Sequence, residues 1–85
     1  MQTTRHFTKT DAINEAKRIF GASFKDSVKI EHDGAFWVLS EQLYQITQEG
    51  RVTGPKYPYS VALELLQFKV DYDKGFTCYK LQKAA

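Results

Sequence analysis

Apolar residues along this chain alternate between two spacings, and the switches mark its elements. Ala12, Ile13, Ala16, Ile19 and Phe20 recur at helical spacing, with Glu15, Lys17 and Arg18 on the opposite side. This pattern predicts a first helix over 9–20. Thr8 or Thr10 suits its N-cap, because a hydroxyl oxygen accepts from a backbone N–H that has no partner in the first turn. Thr8 with Asp11 three residues on forms a loose capping box, with Asp in the place of Glu. Gly21 is the natural stop.

After Gly21 the period drops to two. Val28, Ile30 and His32 alternate with Lys29 and Glu31, and a second run spans Ala35 to Leu39. Asp33-Gly34 between them suits the two-residue loop of a hairpin. That loop sets His32 opposite Ala35, Ile30 opposite Trp37 and Val28 opposite Leu39. The large residues then share one face, and Phe36 and Val38 share the other. A third strand over 43–48, joined by a tight turn at Glu41-Gln42, places Leu39 opposite Tyr44 and Trp37 opposite Ile46. A short helix from Ser40 is the competing reading of the same residues. Glu49-Gly50 then turns the chain into a short segment, Arg51–Thr53.

Gly54-Pro55-Lys56-Tyr57-Pro58-Tyr59 reads as a loop, since each proline lacks a donor and biases its predecessor toward extended geometry. Ser60 caps a second helix over 61–67, with Ala62, Leu65 and Leu66 as its buried stripe. Lys69–Tyr72 and Phe76–Leu81 flank Asp73-Lys74-Gly75 and read as a second hairpin. Residues 1–7 form a short strand or a tail, and Lys83–Ala85 fray. The order is therefore α-β-β-β-α-β-β. It predicts an α+β fold, with two helices packed on one antiparallel sheet. Over 9–67 this order is similar to that of the double-stranded-RNA-binding domain. That family's second helix opens on phosphate-clamping lysines. Here it opens Ser60-Val61-Ala62-Leu63-Glu64, and the chain is not assigned to that family.

Composition adds limits. Eighty-five residues suit one small domain, 1–85, with a single core and modest stability. Aromatic residues are 14% of the chain, which offsets its shortness, because each buried ring removes a large apolar area from water. A net charge of +2 argues against both a nucleic-acid coat and an acidic DNA mimic. One cysteine, Cys78, permits no internal disulfide and no structural zinc site. No apolar segment suits a signal peptide or a membrane span, so the cytoplasm is the expected compartment.

Catalytic chemistry has little to stand on. His6 and His32 lack evident partners, and Cys78 reads as a small buried strand residue rather than a nucleophile. The carboxylates fall at caps, turns and solvent faces. No glycine pattern cradles a phosphate. No metal, cofactor or enzymatic activity is expected.

Two places carry candidate binding residues. Arg51, Lys56, Tyr57 and Tyr59 interleave cations and aromatics on the Gly/Pro segment, where they could hold phosphates and stack bases. The same tyrosines could instead fold back and staple the loop. Phe36 and Val38 either mark an interface or lie beneath the second hairpin. The leading expectation is a non-enzymatic protein-interaction module: an adaptor, an inhibitor or a homodimeric regulator. The alternative is a small nucleic-acid-binding module using Arg51–Tyr59, helped by Lys69, Lys74 and Lys80.

Overall fold

The computed structural model describes residues 2–48, 50–73 and 78–84, with Thr53 by its backbone. The fold class is the expected α+β, with helices on antiparallel sheets. The chain groups into two compact units, Met1–Gln42 and Leu43–Ala85.

The first unit runs β1 (Thr4–His6), α1 (Lys9–Phe20), a 3₁₀ turn (Gly21–Ser23), α2 (Phe24–Ser27), β2 (Val28–Asp33) and β3 (Phe36–Glu41). Helix α1 begins and ends where its sequence says it must. The Thr8 hydroxyl accepts from the Asp11 amide at 3.1 Å, and Gly21 closes the helix at a φ of 63°. The sheet order is β1-β3-β2. Ala16, Val28 and Leu39 form the core, with Phe20, Phe24 and Ile30 packed against it.

The hairpin register differs from expectation by two residues. Asp33 pairs with Phe36, His32 with Trp37 and Ile30 with Leu39. The two-residue loop is thus Gly34-Ala35, with Gly34 leading at a φ of 61°. Both hairpin turn types that match strand twist need positive φ at that first position, which glycine supplies without a Cβ clash. Placing it there also lets Asp33 join the ladder. Because side chains alternate with a period of two, a slip of two leaves every residue on its expected face. Val28, Ile30 and Leu39 still point to α1, and Phe36 and Val38 to the other side.

The second unit runs β4 (Leu43–Gln48), β5 (Arg51–Pro58), α3 (Tyr59–Asp73) and β6 (Tyr79–Lys83), with sheet order β5-β4-β6. The expected pairing of 43–48 with β3 does not occur. Glu41 and Gln42 include no residue suited to a tight positive-φ turn. The Gln42 amide donates to the Ser27 carbonyl at 2.9 Å, prolonging the first ladder. One residue later, the Leu43 carbonyl accepts from the Ala84 amide at 2.9 Å, opening the second. The expected single sheet is thus two three-stranded sheets, one centred on β3 and the other on β4. Ala84 is held rather than frayed.

Three further expectations need correction. Residues 54–58 are strand, not loop. As the edge strand, β5 tolerates Pro55 and Pro58, which have no N–H to offer a neighbour. Between the pairs Tyr44/Tyr57 and Ile46/Thr53, the residues Gly54, Pro55 and Lys56 bulge opposite Gln45 alone. Next, α3 runs through Asp73, so Lys69–Tyr72 is helix and not strand. Gln67 donates to the Asp71 carboxylate at 2.8 Å, one helical turn on, supporting this stretch. Finally, Cys78 precedes β6 and is exposed. The remainder of the expected second hairpin, Lys74–Thr77, lies outside the described residues.

Candidate functional site at the C-terminal half of the third helix

Helix α3 lies on the face of its sheet that carries Tyr44, Ile46 and Tyr79. The Tyr59 ring tilts against Tyr44 with centroids 5.2 Å apart, and the Lys69 ammonium sits 5.5 Å from the Tyr79 ring centroid. Ala62 and Ile46 are fully buried. Ala62, Leu66, Lys69 and Asp73 recur every three or four residues and mark the side toward the sheet. Ser60, Glu64, Gln67 and Asp71 form a polar stripe on the outside.

Between those stripes runs an apolar ridge, half-buried at Leu65 and exposed at its other three positions. Val61, Leu65, Phe68 and Tyr72 are spaced i, i+4, i+7 and i+11. Phe68 is 67% exposed and Tyr72 79%. Their rings are stacked, 6.4 Å between centroids and 20° between planes. Leu63 and Val70 are exposed on the helix's other flank. The sequence explains this directly. Phe68, Val70 and Tyr72 alternate with Lys69 and Asp71, which is a strand pattern. Wound into a helix, residues two apart lie roughly 200° apart, so this pattern spreads apolar side chains around the axis.

At the end of the ridge lies a cavity of about 270 Å³, lined by Phe68, Lys69, Tyr72, Asp73 and Tyr79. The Tyr79 hydroxyl donates to the Asp73 carboxylate, which raises the phenol above its ordinary pKa. Arg51 acts in the opposite direction through its charge. Register places it there: Arg51 on β5 and Tyr79 on β6 both pair with Gln48.

Among the residues singled out from sequence, Arg51 therefore stands near this site. Lys56 is exposed on the bulge. Tyr57 and Tyr59 are half-buried on their own unit: the Tyr57 hydroxyl lies 3.2 Å from where a Cβ on Gly54 would stand, and Tyr59 packs on Tyr44. Phe36 and Val38 belong to the first unit, where they lie on the sheet face away from α1. Phe36 and Val38 are half-buried, and Phe36 meets the exposed Phe7 ring at 5.5 Å and the Arg5 guanidinium at 6.0 Å. The six residues are not one cluster. Phe68, Tyr72, Asp73 and Tyr79 were not singled out, because a strand at 69–72 hides their convergence.

The histidines sit in structural settings. His6 shares a 2.8 Å hydrogen bond with Thr4 inside β1, and His32 stacks on Trp37 at 4.5 Å. Among the described residues, no three of His, Cys, Asp and Glu converge as metal ligands, and no helix is long and apolar enough to cross a membrane. Compared with known proteins, the chain matches no family model, no curated protein and no solved structure.

Proposed function

We propose that this chain is a non-enzymatic protein-interaction module that docks a partner on the Val61–Leu65–Phe68–Tyr72 ridge of α3. The exposure of Phe68 and Tyr72 carries this reading. Fully burying such a side chain is worth about 1.5–3 kcal/mol, so leaving two adjacent rings in water forgoes a large gain that a partner would recover. Spacing of i, i+4, i+7 and i+11 is that of a helix seam, which suits a partner helix packing alongside. A second copy of α3 offers the same seam, and a symmetric pair is the simplest occupant.

Light scattering over a concentration series tests the reading. The wild-type chain is expected to form a defined dimer or a stoichiometric complex. Phe68→Ser with Tyr72→Ser is expected to abolish it while leaving the fold intact. A wild type that stays monomeric and captures no partner refutes the proposal. The nucleic-acid alternative has weaker support, since Tyr57 and Tyr59 are engaged with their own unit rather than splayed for stacking. It requires binding that weakens steeply with salt and is lost on Arg51→Ala.

A further inference from the structure

We infer that the cavity formed by Phe68, Tyr72, Tyr79 and Asp73 is a receptor for a small organic ammonium, with the Lys69 side chain as its internal occupant. The inference goes beyond the docking reading and competes with it, since a partner seated on Phe68 and Tyr72 would cover the same rings; it is therefore tested on the unassociated chain.

Among the described residues, three aromatic rings, one carboxylate and the Lys69 side chain line the same small space. Ring faces are electron-rich, and cations are attracted to them, most strongly where water is partly excluded. The carboxylate adds a full negative charge. The structure already shows how this space treats a cation. The Lys69 ammonium lies 5.5 Å from the centroid of Tyr79, within cation–π range. Lysine reaches that position on a flexible four-carbon stem, so it can withdraw to solvent at little cost. A ligand cation would take the place it vacates. With Lys69 in place, the space of about 270 Å³ is open to solvent on one side and has room for a tetramethylammonium-sized group.

An anion is the competing ligand: Lys69 and the charge of Arg51 would favour it, and the Asp73 carboxylate and the ring faces would oppose it. The shared chemistry is therefore a methylated ammonium, whether free as choline, on a lipid headgroup or on a methylated lysine side chain.

The test is an NMR titration of the full chain with tetramethylammonium chloride, with sodium chloride at equal ionic strength as the blank. Saturable shifts confined to the Phe68, Tyr72 and Tyr79 ring signals are expected. Lys69→Met removes the internal competitor and should tighten binding several-fold. Asp73→Asn should weaken it roughly tenfold, the scale of one desolvated cation–carboxylate or cation–π contact. Tyr79→Phe keeps the ring and frees the carboxylate, so it should retain binding and serves as the control for local folding. Choline, phosphocholine vesicles and a trimethyllysine peptide then distinguish the sources by rank of affinity. The inference is overturned if folded Lys69→Met shows no saturable shift. It is equally overturned if sodium acetate saturates the same signals in wild type and Lys69→Met abolishes that effect, because Lys69 would then be an anion receptor.

Discussion

The two units are built from the same parts in different order. Each has a central strand, an edge strand, a helix and a second edge strand. The helix connects the two edges, and a hairpin joins the centre to one of them. In the first unit the central strand β3 comes last; in the second, β4 comes first. Read cyclically from their central strands, β3-β1-α1-β2 and β4-β5-α3-β6 follow the same order of parts. What differs is the outside of the helix. On α1, the exposed positions are Lys9, Thr10, Asp11, Asn14, Lys17 and Arg18, with Ile19 the single exposed large apolar residue. On α3, Val61, Leu63, Phe68, Val70 and Tyr72 are exposed. Equal scaffolding with unequal helix surfaces separates what the fold requires from what it does not. The fold requires one apolar stripe per helix. The additional ridge on α3 is the feature on which the proposed docking surface rests.

The largest expected effects test the equivalence of the cores. Leu39 and Ile46 are the largest fully buried side chains, one in each central strand. Leu39→Ala and Ile46→Ala should each cost about 2–5 kcal/mol in denaturant unfolding. Trp37 is the one tryptophan of the chain and reports the first unit. A unit of roughly forty residues buries too little surface to be stable alone. Ile46→Ala is therefore expected to lower the Trp37 midpoint as well. A Trp37 transition untouched by Ile46→Ala would instead make the two units independent folders.

The helix surfaces come next. Phe68→Ser with Tyr72→Ser should abolish association but change the unfolding free energy by under about 0.5 kcal/mol per site, since both rings are exposed. Lys17→Ser with Arg18→Ser on α1 should leave association unchanged. If it does not, the contrast between the two helix surfaces has no functional meaning.

Smaller still is the cap of α1. Thr8→Ala should cost about 1 kcal/mol, because the Asp11 amide loses its acceptor. At the cavity, Tyr79 should titrate above the ordinary tyrosine range, and Asp73→Asn should bring it down. The folded pKa is raised, so the stability this contact contributes is present below the unfolded tyrosine pKa of about 10. It is lost as pH rises through the folded value. Phenolate absorbance of wild type against Tyr79→Phe measures this.

The smallest effect belongs to the Glu15–Arg18 pair. Arg18 donates to the carboxylate through both Nε and Nη2, which lowers the Glu15 pKa. The sign predicts a contribution present at neutral pH and lost as pH falls through the Glu15 value. Both groups are at the surface, so Arg18→Gln should leave the melting temperature unchanged within error.

The sequence by itself determined the elements whose causes are local. Helix α1 has the cap at Thr8, the stop at Gly21 and the stripe between them because each rests on atoms within four residues of one another. The sorting of Val28, Ile30 and Leu39 against Phe36 and Val38 was equally legible, since strand alternation survives any even slip in register. Tertiary structure decided the rest. Glu41-Gln42 carries no turn signal of its own, so only distant partners, Ser27 and Ala84, determine where one sheet ends and the other begins. Pro55 and Pro58 read as loop until the sheet order makes β5 an edge. Residues 68–72 carry a strand's alternation inside a helix, where no local rule decides between the two. That conflict hid the aromatic cavity, because Phe68, Tyr72, Asp73 and Tyr79 converge only once the helix continues to Asp73 and β6 pairs with β4.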